Sequence, residues 1–433
     1  MKKYIILLIF CVSVCCAVLV IKDKVPNNDT PPQDDGSNLI FEETTTPDTP
    51  LNDNDISNNN FDIPSDISYT ALNFENPKAM WFSYMDYSTI LLDKSKEEFT
   101  QNIEERFNNA KNLGINTVYV QVRSHANSYY VSELFPKAGY YNSDFDPLEI
   151  MVNIAHKNGL SIHAWINPMR CMNTQNMDSQ SNEYTIKQWY DTKKGSYINE
   201  YNDYWYLNPY YEDVRNFICD GVKEIMNGYQ IDGIHIDDYF YPTTDETFDT
   251  QSFIESGKSD LLQFRRDNVN SLVKQMYSTI KSINPTVEFG ISPQGNIDKD
   301  LNEQCADVQL WTSTEGYCDY IVPQLYYGFN NSTCPFIDTL NAWAELNKNS
   351  SVKLVIGLCT YKIGSEDTWA GDGVSEWIDN SNIVSSEIDY SLNNSDVEGV
   401  AIFDYGSTFE PSGSSDIVEK VNQERQSIQE HLN

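Results

Sequence analysis

Two adjacent aspartates, Asp237 and Asp238, end the apolar stretch DGIHIDDYFYP at residues 232–242. A buried strand that ends in two carboxyl groups is typical of a site that handles protons or positive charge. Hydrolysis of a glycosidic bond needs two such groups, one to protonate the leaving oxygen and one to act as nucleophile or base. Because neighbouring strand residues point to opposite faces, we expect Asp237, in phase with Gly233 and His235, to enter the site. Asp238 would then face the helices or begin the next loop, and would orient or tune the pair.

The other carboxyl group of the pair has two candidates elsewhere in the chain. Glu133, in the sequence SELFP, follows one predicted strand and is favoured as general acid, whereas Asp404 ends another strand. His235 is expected to pack within its strand, to orient Asp237 or to contact substrate. Histidines and cysteines do not occur at zinc spacing, so the sequence predicts no metal and no cofactor.

Strands and helices are predicted to alternate from residue 71 to residue 433. Eight short runs rich in β-branched and aromatic residues predict strands at 79–85, 117–123, 161–167, 233–239, 287–293, 320–326, 353–359 and 399–405. Amphipathic stretches predict helices at 95–114, 146–159, 212–227, 260–282, 338–347, 381–393 and 414–430. This alternation favours an α/β fold, a closed (β/α)₈ TIM barrel. A doubly wound open sheet is the alternative, but no glycine-rich nucleotide-binding turn follows the first strand.

The active site of such a barrel forms where its strands end. Polar and aromatic residues near the predicted strand ends are therefore candidates for substrate binding: Arg123, Asn167, Arg170, His235, Tyr239, Gln294, Gln324, Tyr326 and Asp404. Carboxyl groups among aromatic rings and amides favour a sugar site over a phosphate or flavin site.

A long insertion after the third strand is rich in aromatic residues. Residues 184–211 read YTIKQWYDTKKGSYINEYNDYWYLNPYY. Flat rings beside amides suit the apolar faces and hydroxyl edges of sugars. The same rings could instead form a small core that holds the insertion together.

The charge and the N-terminal sequence restrict the partners and the location. A net charge of -35 argues against nucleic acid and other polyanions and is compatible with neutral glycan strands. Residues 1–22 resemble an export signal or membrane anchor, and residues 23–70 form an acidic linker poor in apolar residues. We therefore expect an extracytoplasmic protein that contacts the membrane only through its N-terminal segment, with the type of tether left open.

Several motifs together resemble a known family. These are VYVQVRSHANSYYVSELFP (118–136), HAWINPMR (163–170), WYLNPYYEDVR (205–215), DGIHIDDYFYP (232–242), ISPQGN (291–296) and PQLYY (323–327). In this order they resemble the glycosyl-hydrolase-like family of bacterial envelope proteins that includes DigH. The resemblance implies a (β/α)₈ barrel that hydrolyses peptide-free peptidoglycan strands. Its acidic positions fall on Glu133, Asp237 and Asp238, and its polar positions on Arg123, Asn167, Arg170, Asn208, Gln294 and Gln324.

DGIHIDDY is also close to the signature of chitinases, in which aspartates alternate and a glutamate follows. Here Tyr239 occupies the place of that glutamate, and a phenol with an ordinary pKa of about 10 is a poor proton donor to a leaving sugar. The sequence therefore predicts a two-carboxylate hydrolase of cell-wall glycan strands. A hydrolase of another polysaccharide and a non-catalytic, lectin-like barrel are the alternatives.

Overall fold

The computed structural model describes residues 69–347 and 351–433. The predicted leader at 1–22 and all but the last two residues of the predicted linker at 23–70 lie outside the described residues. Within the described ranges, no helix is both long enough and apolar enough to cross a membrane.

The described residues contain eleven strands. They are β1 (Lys78–Phe82), β2 (Thr117–Arg123), β3 (Ser161–Ile166), β4 (Arg170–Asn173), β5 (Ile198–Tyr201), β6 (Tyr204–Leu207), β7 (Gly233–Ile236), β8 (Glu288–Ile291), β9 (Tyr320–Ile321), β10 (Lys353–Cys359) and β11 (Gly399–Phe403). Eight of them close into a parallel barrel in the order β1-β11-β10-β9-β8-β7-β3-β2. The predicted (β/α)₈ barrel is confirmed, and the open-sheet alternative is wrong because β1 pairs with both β2 and β11.

Helices surround the barrel. In the described ranges they are α1 (Tyr87–Ile90), α2 (Lys96–Leu113), α3 (Pro147–Lys157), α4 (Thr174–Ser179), α5 (Thr185–Thr192), α6 (Glu212–Gly228), α7 (Thr250–Ser256), α8 (Leu261–Ile283), α9 (Ile297–Asn302), α10 (Val308–Ser313), α11 (Phe336–Leu346), α12 (Glu376–Asp379), α13 (Ile383–Leu392), α14 (Tyr405–Phe409) and α15 (Ser415–Leu432). The seven long helices predicted from the sequence are all present.

Local sequence signals fix where these helices begin. Ser95 caps α2 by accepting a hydrogen bond from the N–H of Glu98, and the carboxylate of Glu98 accepts one from the N–H of Ser95. Asp146 caps α3, and Pro147 follows at its first position, where a missing N–H costs nothing. Such caps set the lengths of the loops that reach the carboxyl ends of the strands, and those loops carry the site.

The insertion between β3 and α6 is a small unit of its own. Its strands form an antiparallel sheet in the order β4-β6-β5. Its aromatic rings pack mainly on one another: Tyr190 lies edge-on to Trp205 at 4.9 Å, and Trp189 to Tyr197 at 5.3 Å between centroids. Most of this aromatic cluster is therefore a local core rather than a sugar platform. Tyr204 is the exception, because it lies beside the candidate site described below.

The first described residues close the amino-terminal end of the barrel. Tyr69 donates a hydrogen bond to Asp232, the residue before β7, and the N–H of Leu72 donates another at 2.5 Å. The amide of Asn73 reaches the carbonyl oxygens of Asp232 and Thr286 at 3.3 and 3.0 Å. The folded part of the chain therefore includes Tyr69, and the chain enters at the end of the barrel opposite the strand ends that carry Asp237.

Candidate active site

The two aspartates lie just past the end of β7, at the carboxyl end of the barrel, which we call the mouth. Because β7 ends at Ile236, strand alternation no longer governs Asp238, which begins the next loop. Asp237 is 5 % exposed and Asp238 is partly buried. The structure therefore brings both carboxyl groups, here called the acid pair, to the mouth.

Three donors orient Asp237. The indole Nε1 of Trp165 donates to Oδ2 at 3.0 Å, and the amide Nδ2 of Asn167 donates to Oδ1 at 2.7 Å. The backbone N–H of Tyr239 approaches the same Oδ1 at 3.4 Å. Since both oxygens accept hydrogen bonds, these donors favour the ionised form of Asp237 and act against its burial.

The orientation of Asn167 is fixed by a relay from the first strand. The backbone N–H of Tyr84 donates to Gln121 Oε1 at 3.1 Å, and a backbone N–H can only be a donor. Gln121 must then present its amide Nε2 to Asn167 Oδ1, at 2.9 Å. Asn167 is left with its own Nδ2 facing Asp237. The relay runs through buried side chains and sets which atoms meet the carboxylate.

Asp238 is held by side-chain amides. Gln324 Nε2 donates to its Oδ1 at 3.3 Å and Gln304 Nε2 to its Oδ2 at 3.4 Å. Gln294 adds a third hydrogen bond from the loop after β8. These glutamines are neutral, so they orient the carboxyl group without adding charge to the mouth.

Burial is the main influence on the pKa values of the acid pair. It raises the pKa of Asp237 above the ordinary value of 3.8, and the charge of Asp238 adds to the rise. The hydrogen bonds from Asn167 and Tyr239 and the charge of Arg170 act in the opposite direction. Burial also raises the pKa of Asp238, against its amide donors. Two such neighbouring groups do not both ionise readily, so the pair retains a proton to higher pH than isolated aspartates would.

On one side of the mouth a cationic side chain packs against aromatic rings. The guanidinium of Arg170, at the start of β4, lies 4.2 Å from the ring centroid of Tyr239 and 5.1 Å from that of Tyr204. His125 lies edge-on to Tyr84 at 5.4 Å and 5.9 Å from the ring of Tyr204. Burial, then the charge of Arg170, lowers the pKa of His125 well below 6.5 and so favours its neutral imidazole.

The opposite wall carries Asp404. In the closed strand order β11 lies four positions from β7, so Asp404 and Asp237 follow diametrically opposed strands. Asp404 is 7 % exposed, and its Oδ1 accepts hydrogen bonds from the N–H and Oγ of Ser407 at 2.9 and 2.7 Å. Burial raises its pKa against those hydrogen bonds. Burial is the largest cause of the raised pKa of Tyr326, and the charges of Asp238 and Asp404 raise it further. The hydroxyl of Tyr326 is therefore close enough to feel the charge of both acids.

Arg123 does not reach the mouth, contrary to the prediction that it binds substrate. The pairing of β2 with β3 shifts register between Gln121 and Arg123, which breaks the alternation that would have pointed Arg123 inward. Its guanidinium lies 4.3 Å from the ring centroid of Phe135 and is buried against α6, where a Cβ on Gly221 would collide with it. Arg123 therefore packs between the barrel and its helices.

His235 is also removed from substrate. It is fully buried inside the barrel, stacked on Tyr119 at 4.2 Å. Its Nε2 accepts a hydrogen bond from Trp81 Nε1 at 3.1 Å, and its Nδ1 lies 3.0 Å from the hydroxyl of Tyr320. This position agrees with the prediction that His235 packs within its strand. It contradicts the prediction that His235 contacts substrate.

Glu133 is not brought to the acid pair. Its side chain is exposed, and its backbone N–H donates to Glu224 Oε1 at 2.7 Å. Glu224 lies in the last turns of α6, which lead back toward the start of β7. Glu133 therefore lies on the outer helical layer, which is not the position of a carboxyl group that acts across a bond from Asp237.

The other predicted positions either line the mouth or support it. Asn167 is buried and orients Asp237 instead of facing substrate. Arg170, Tyr239, Gln294, Gln324, Tyr326 and Asp404 surround the acid pair. Asn208, expected from the family resemblance, joins the insertion to α7 through Ser252 Oγ at 3.0 Å.

Sequence reasoning missed Trp165, Gln121 and His125. Trp165 and Gln121 lie on the inward-facing side of their strands, and a polar or indole group at an inward position of an otherwise apolar strand was the available signal. His125 follows β2 directly, but nothing in SHANSYY marks it. Among the described residues, no group of three or more His, Cys, Asp or Glu side chains is arranged to hold a metal ion.

Comparison with known proteins identifies the family. The family Glycosyl hydrolase-like 10 matches residues 78–372. The chain belongs to this family. The predicted family is confirmed.

Two relatives and one solved structure describe the similarity further. Glycosyl hydrolase YngK of Bacillus subtilis is 32% identical over 300 residues, which are 63% of this chain and 57% of that protein. Glycosyl hydrolase DigH of Escherichia coli K12 is 30% identical over 337 residues, 70% of this chain and 75% of that protein. The glycoside hydrolase domain of PgaB from Bordetella bronchiseptica has a similar fold, with a TM-score of 0.53 at 10% identity over 83% of this chain and 99% of that domain. This chain thus spans little more than half of the first relative.

Proposed function

We propose that this protein is an exported glycoside hydrolase that cleaves peptide-free glycan strands of the bacterial cell wall. The observation that carries the proposal is the mouth itself, where Asp237 is held by an indole and an amide and faces the wall that carries Asp404. Aromatic rings and glutamine amides surround these acids, as a sugar chain requires.

In the proposed reaction Asp237 is the carboxylate and Asp404 the proton donor. Hydrogen bonds to both oxygens of Asp237 favour its charged form beside the anomeric carbon. Burial raises the pKa of Asp404 as it does that of Asp237, and Asp404, on the opposite wall, would give its proton to the leaving oxygen. The charge of Asp238 raises the pKa of Asp237. The ionised Asp237 is therefore a stronger base, and it attacks the anomeric carbon or activates water more readily. Glu133 has no part in this reaction.

The substrate class rests on the charge of the protein and on the family resemblance. Peptide-free strands lack the acidic peptides that a chain of net charge -35 would repel. The cationic Arg170 beside Tyr239 and Tyr204 offers donors and flat faces to acetamido and hydroxyl groups. The N-terminal pattern Lys2, Lys3 and an apolar run supports export and tethering at the cell surface.

The test is product analysis with the full-length protein. Purified peptide-free glycan strands, an α-glucan and a capsule polysaccharide are each incubated with the protein, and the products are read by mass. The proposal expects sugar fragments from the cell-wall strands alone. Cleavage of another polymer instead would reassign the substrate, and retention of strands in a pull-down without cleavage would favour the lectin-like alternative.

A further inference from the structure

Trp369 differs from every other tryptophan of the chain. The described residues include all eight tryptophans, and Trp369 is the only exposed one, with 48 % of its surface accessible. Its indole N–H has no hydrogen-bond partner among the described residues. About half of this large apolar side chain is accessible, so its exposed part is free to contact a ligand.

The loop that carries Trp369 follows β10, so it belongs to the rim of the mouth. It is held in place by buried polar contacts. The N–H of Trp369 approaches Asp367 Oδ1 at 3.4 Å, and the buried Asp367 pairs with Lys362 at 2.8 Å. Lys362 also donates to the backbone oxygen of Tyr326 at 2.8 Å. The ring is thus presented by a loop bonded directly to a residue of the mouth.

The neighbouring loop, after β9, supports the same segment. The N–H of Ser332 donates to the carbonyl oxygen of Ala370 at 2.9 Å, next to Trp369. The carboxylate of Glu376 accepts hydrogen bonds from the N–H groups of Phe329 and Asn330 at 3.1 and 2.9 Å. Two loops are thereby joined into one rigid stretch of rim, and a rigid aromatic side chain loses little freedom when it binds a ligand.

Aromatic rings connect this stretch to the acids. Tyr361, at the end of β10, lies edge-on to Tyr326 at 6.0 Å and to Phe403 at 6.1 Å between centroids. Phe403 directly precedes Asp404. From Asp404 the rings of Phe403 and Tyr361 lead to the loop after β10, and the same loop carries Trp369.

We propose that Trp369 is the platform of a distal sugar subsite, on which a ring of the same glycan chain stacks while another part of the chain lies between Asp237 and Asp404. This inference rests on the proposed function. An indole with a flat apolar face and a polar edge suits a sugar ring, which also has an apolar face and a polar rim. The subsite selects long chains, because a short oligosaccharide bound at the acids does not reach it.

The experiment compares full-length wild type with Trp369→Ala, Trp369→Phe and the control Ile283→Ala. Ile283 is also exposed, but it ends α8 at the opposite end of the barrel. Values of kcat/KM are measured on long strands and on short oligosaccharides. We expect Trp369→Ala to lower the value on long strands by about tenfold, with little change on short ones, because a stacked ring contributes modestly. Trp369→Phe retains a ring and should recover most of the loss.

A second measurement separates this inference from the proposed function. In the Asp237→Asn background, iodide quenches the fluorescence of exposed tryptophan, and long strands should protect Trp369 from it. Protection without any cleavage by wild type would overturn the proposed function and keep the subsite. Cleavage by wild type with no protection, and with Trp369→Ala as active as Ile283→Ala on long strands, would overturn the subsite and keep the function.

Discussion

Two regions of the molecule bury pairs of carboxyl groups, and they differ in what surrounds them. The acid pair lies at the mouth of the barrel. Glu387 of α13 and Glu424 of α15, which we call the helix-layer acids, are 0 % and 1 % exposed between two outer helices. In both regions burial is the first cause of a raised pKa, and a neighbouring carboxyl group adds to it for Asp237 and for Glu387.

The two regions differ in the hydrogen-bond donors that reach the carboxyl groups and in the access that a ligand has to them. At the mouth, indole, amide and backbone donors reach both carboxyl groups. In the helix layer, the N–H of Ser385 donates to one oxygen of Glu424 at 2.6 Å, while the other oxygen and both oxygens of Glu387 have no hydrogen-bond partner in the described part of the chain. A raised pKa therefore reports burial and like charge. Only where oriented donors and an open mouth accompany it does it indicate a reacting group.

The largest effect should come from removing a carboxyl group of the mouth. Asp237→Asn and Asp404→Asn should each lower the rate of glycan hydrolysis by roughly 10²- to 10⁴-fold, because each loses the group that handles a proton or the developing charge. Asn retains the capping ability of Asp404 at α14, so folding should be preserved. Release of sugar fragments is the measurement.

The matched control for these variants is Glu424→Gln, which changes an equally buried acid away from the mouth. It should hydrolyse strands at the wild-type rate. Equal losses in the mouth variants and in Glu424→Gln would show that burial of an acid, rather than its place at the mouth, governs the activity.

The next effect concerns stability and its dependence on pH. Burial raises the pKa of Glu424 from 4.5 to about 7, so the folded state binds its proton more tightly than the unfolded chain does. The resulting stabilisation of the folded state is about 3 kcal/mol; it is fully present below pH 4.5 and is lost as pH rises through 7. Glu424→Gln should remove this loss, so denaturant unfolding at pH 5 and pH 8 should give more similar free energies than in wild type. A wild-type protein equally stable at both values would contradict this account.

A smaller effect is expected when the relay to Asp237 is broken. Asn167→Ala removes a hydrogen bond to a carboxylate, and such bonds contribute about 1.5–3 kcal/mol, so activity should fall by roughly 10- to 100-fold. The same bond lowers the pKa of Asp237, so its loss should raise that pKa and move the acidic limb of the pH profile of kcat/KM to higher pH. Gln121→Glu should move the acidic limb in the same direction. A carboxylate at position 121 cannot donate to Asn167 Oδ1, so the Asn167 amide would turn around and present its oxygen to Asp237. An unshifted limb would show that Asn167 has only a packing role.

The smallest effect is expected at Glu133. Glu133→Gln changes an exposed side chain on the outer helical layer, so activity and its pH profile should match wild type. A loss comparable to that of Asp237→Asn would place Glu133 in the reaction and require the loop at 124–136 to move during it.

The barrel and one of its acids could be predicted from the sequence because both follow from simple periodicity. Eight apolar runs alternate with seven amphipathic helices, and Asp237 ends one of those runs. Arg123 could not be placed, since a register shift within β2 is invisible in TVYVQVR and reverses the direction of a side chain. Glu133 could not be placed either, because a loop has no period and its course depends on contacts with Glu224, 91 residues away. The relay from Tyr84 depends on which strands are neighbours, and only the closed barrel shows this.

The attachment of the segment Tyr69–Asn73 to Asp232 also has a practical consequence. The upstream chain joins the domain at the pole opposite the mouth. A fusion partner or a solid support linked upstream of Tyr69 would therefore leave the entrance free. Immobilisation through that side should preserve turnover on long polymers, whereas coupling near Trp369 should obstruct them.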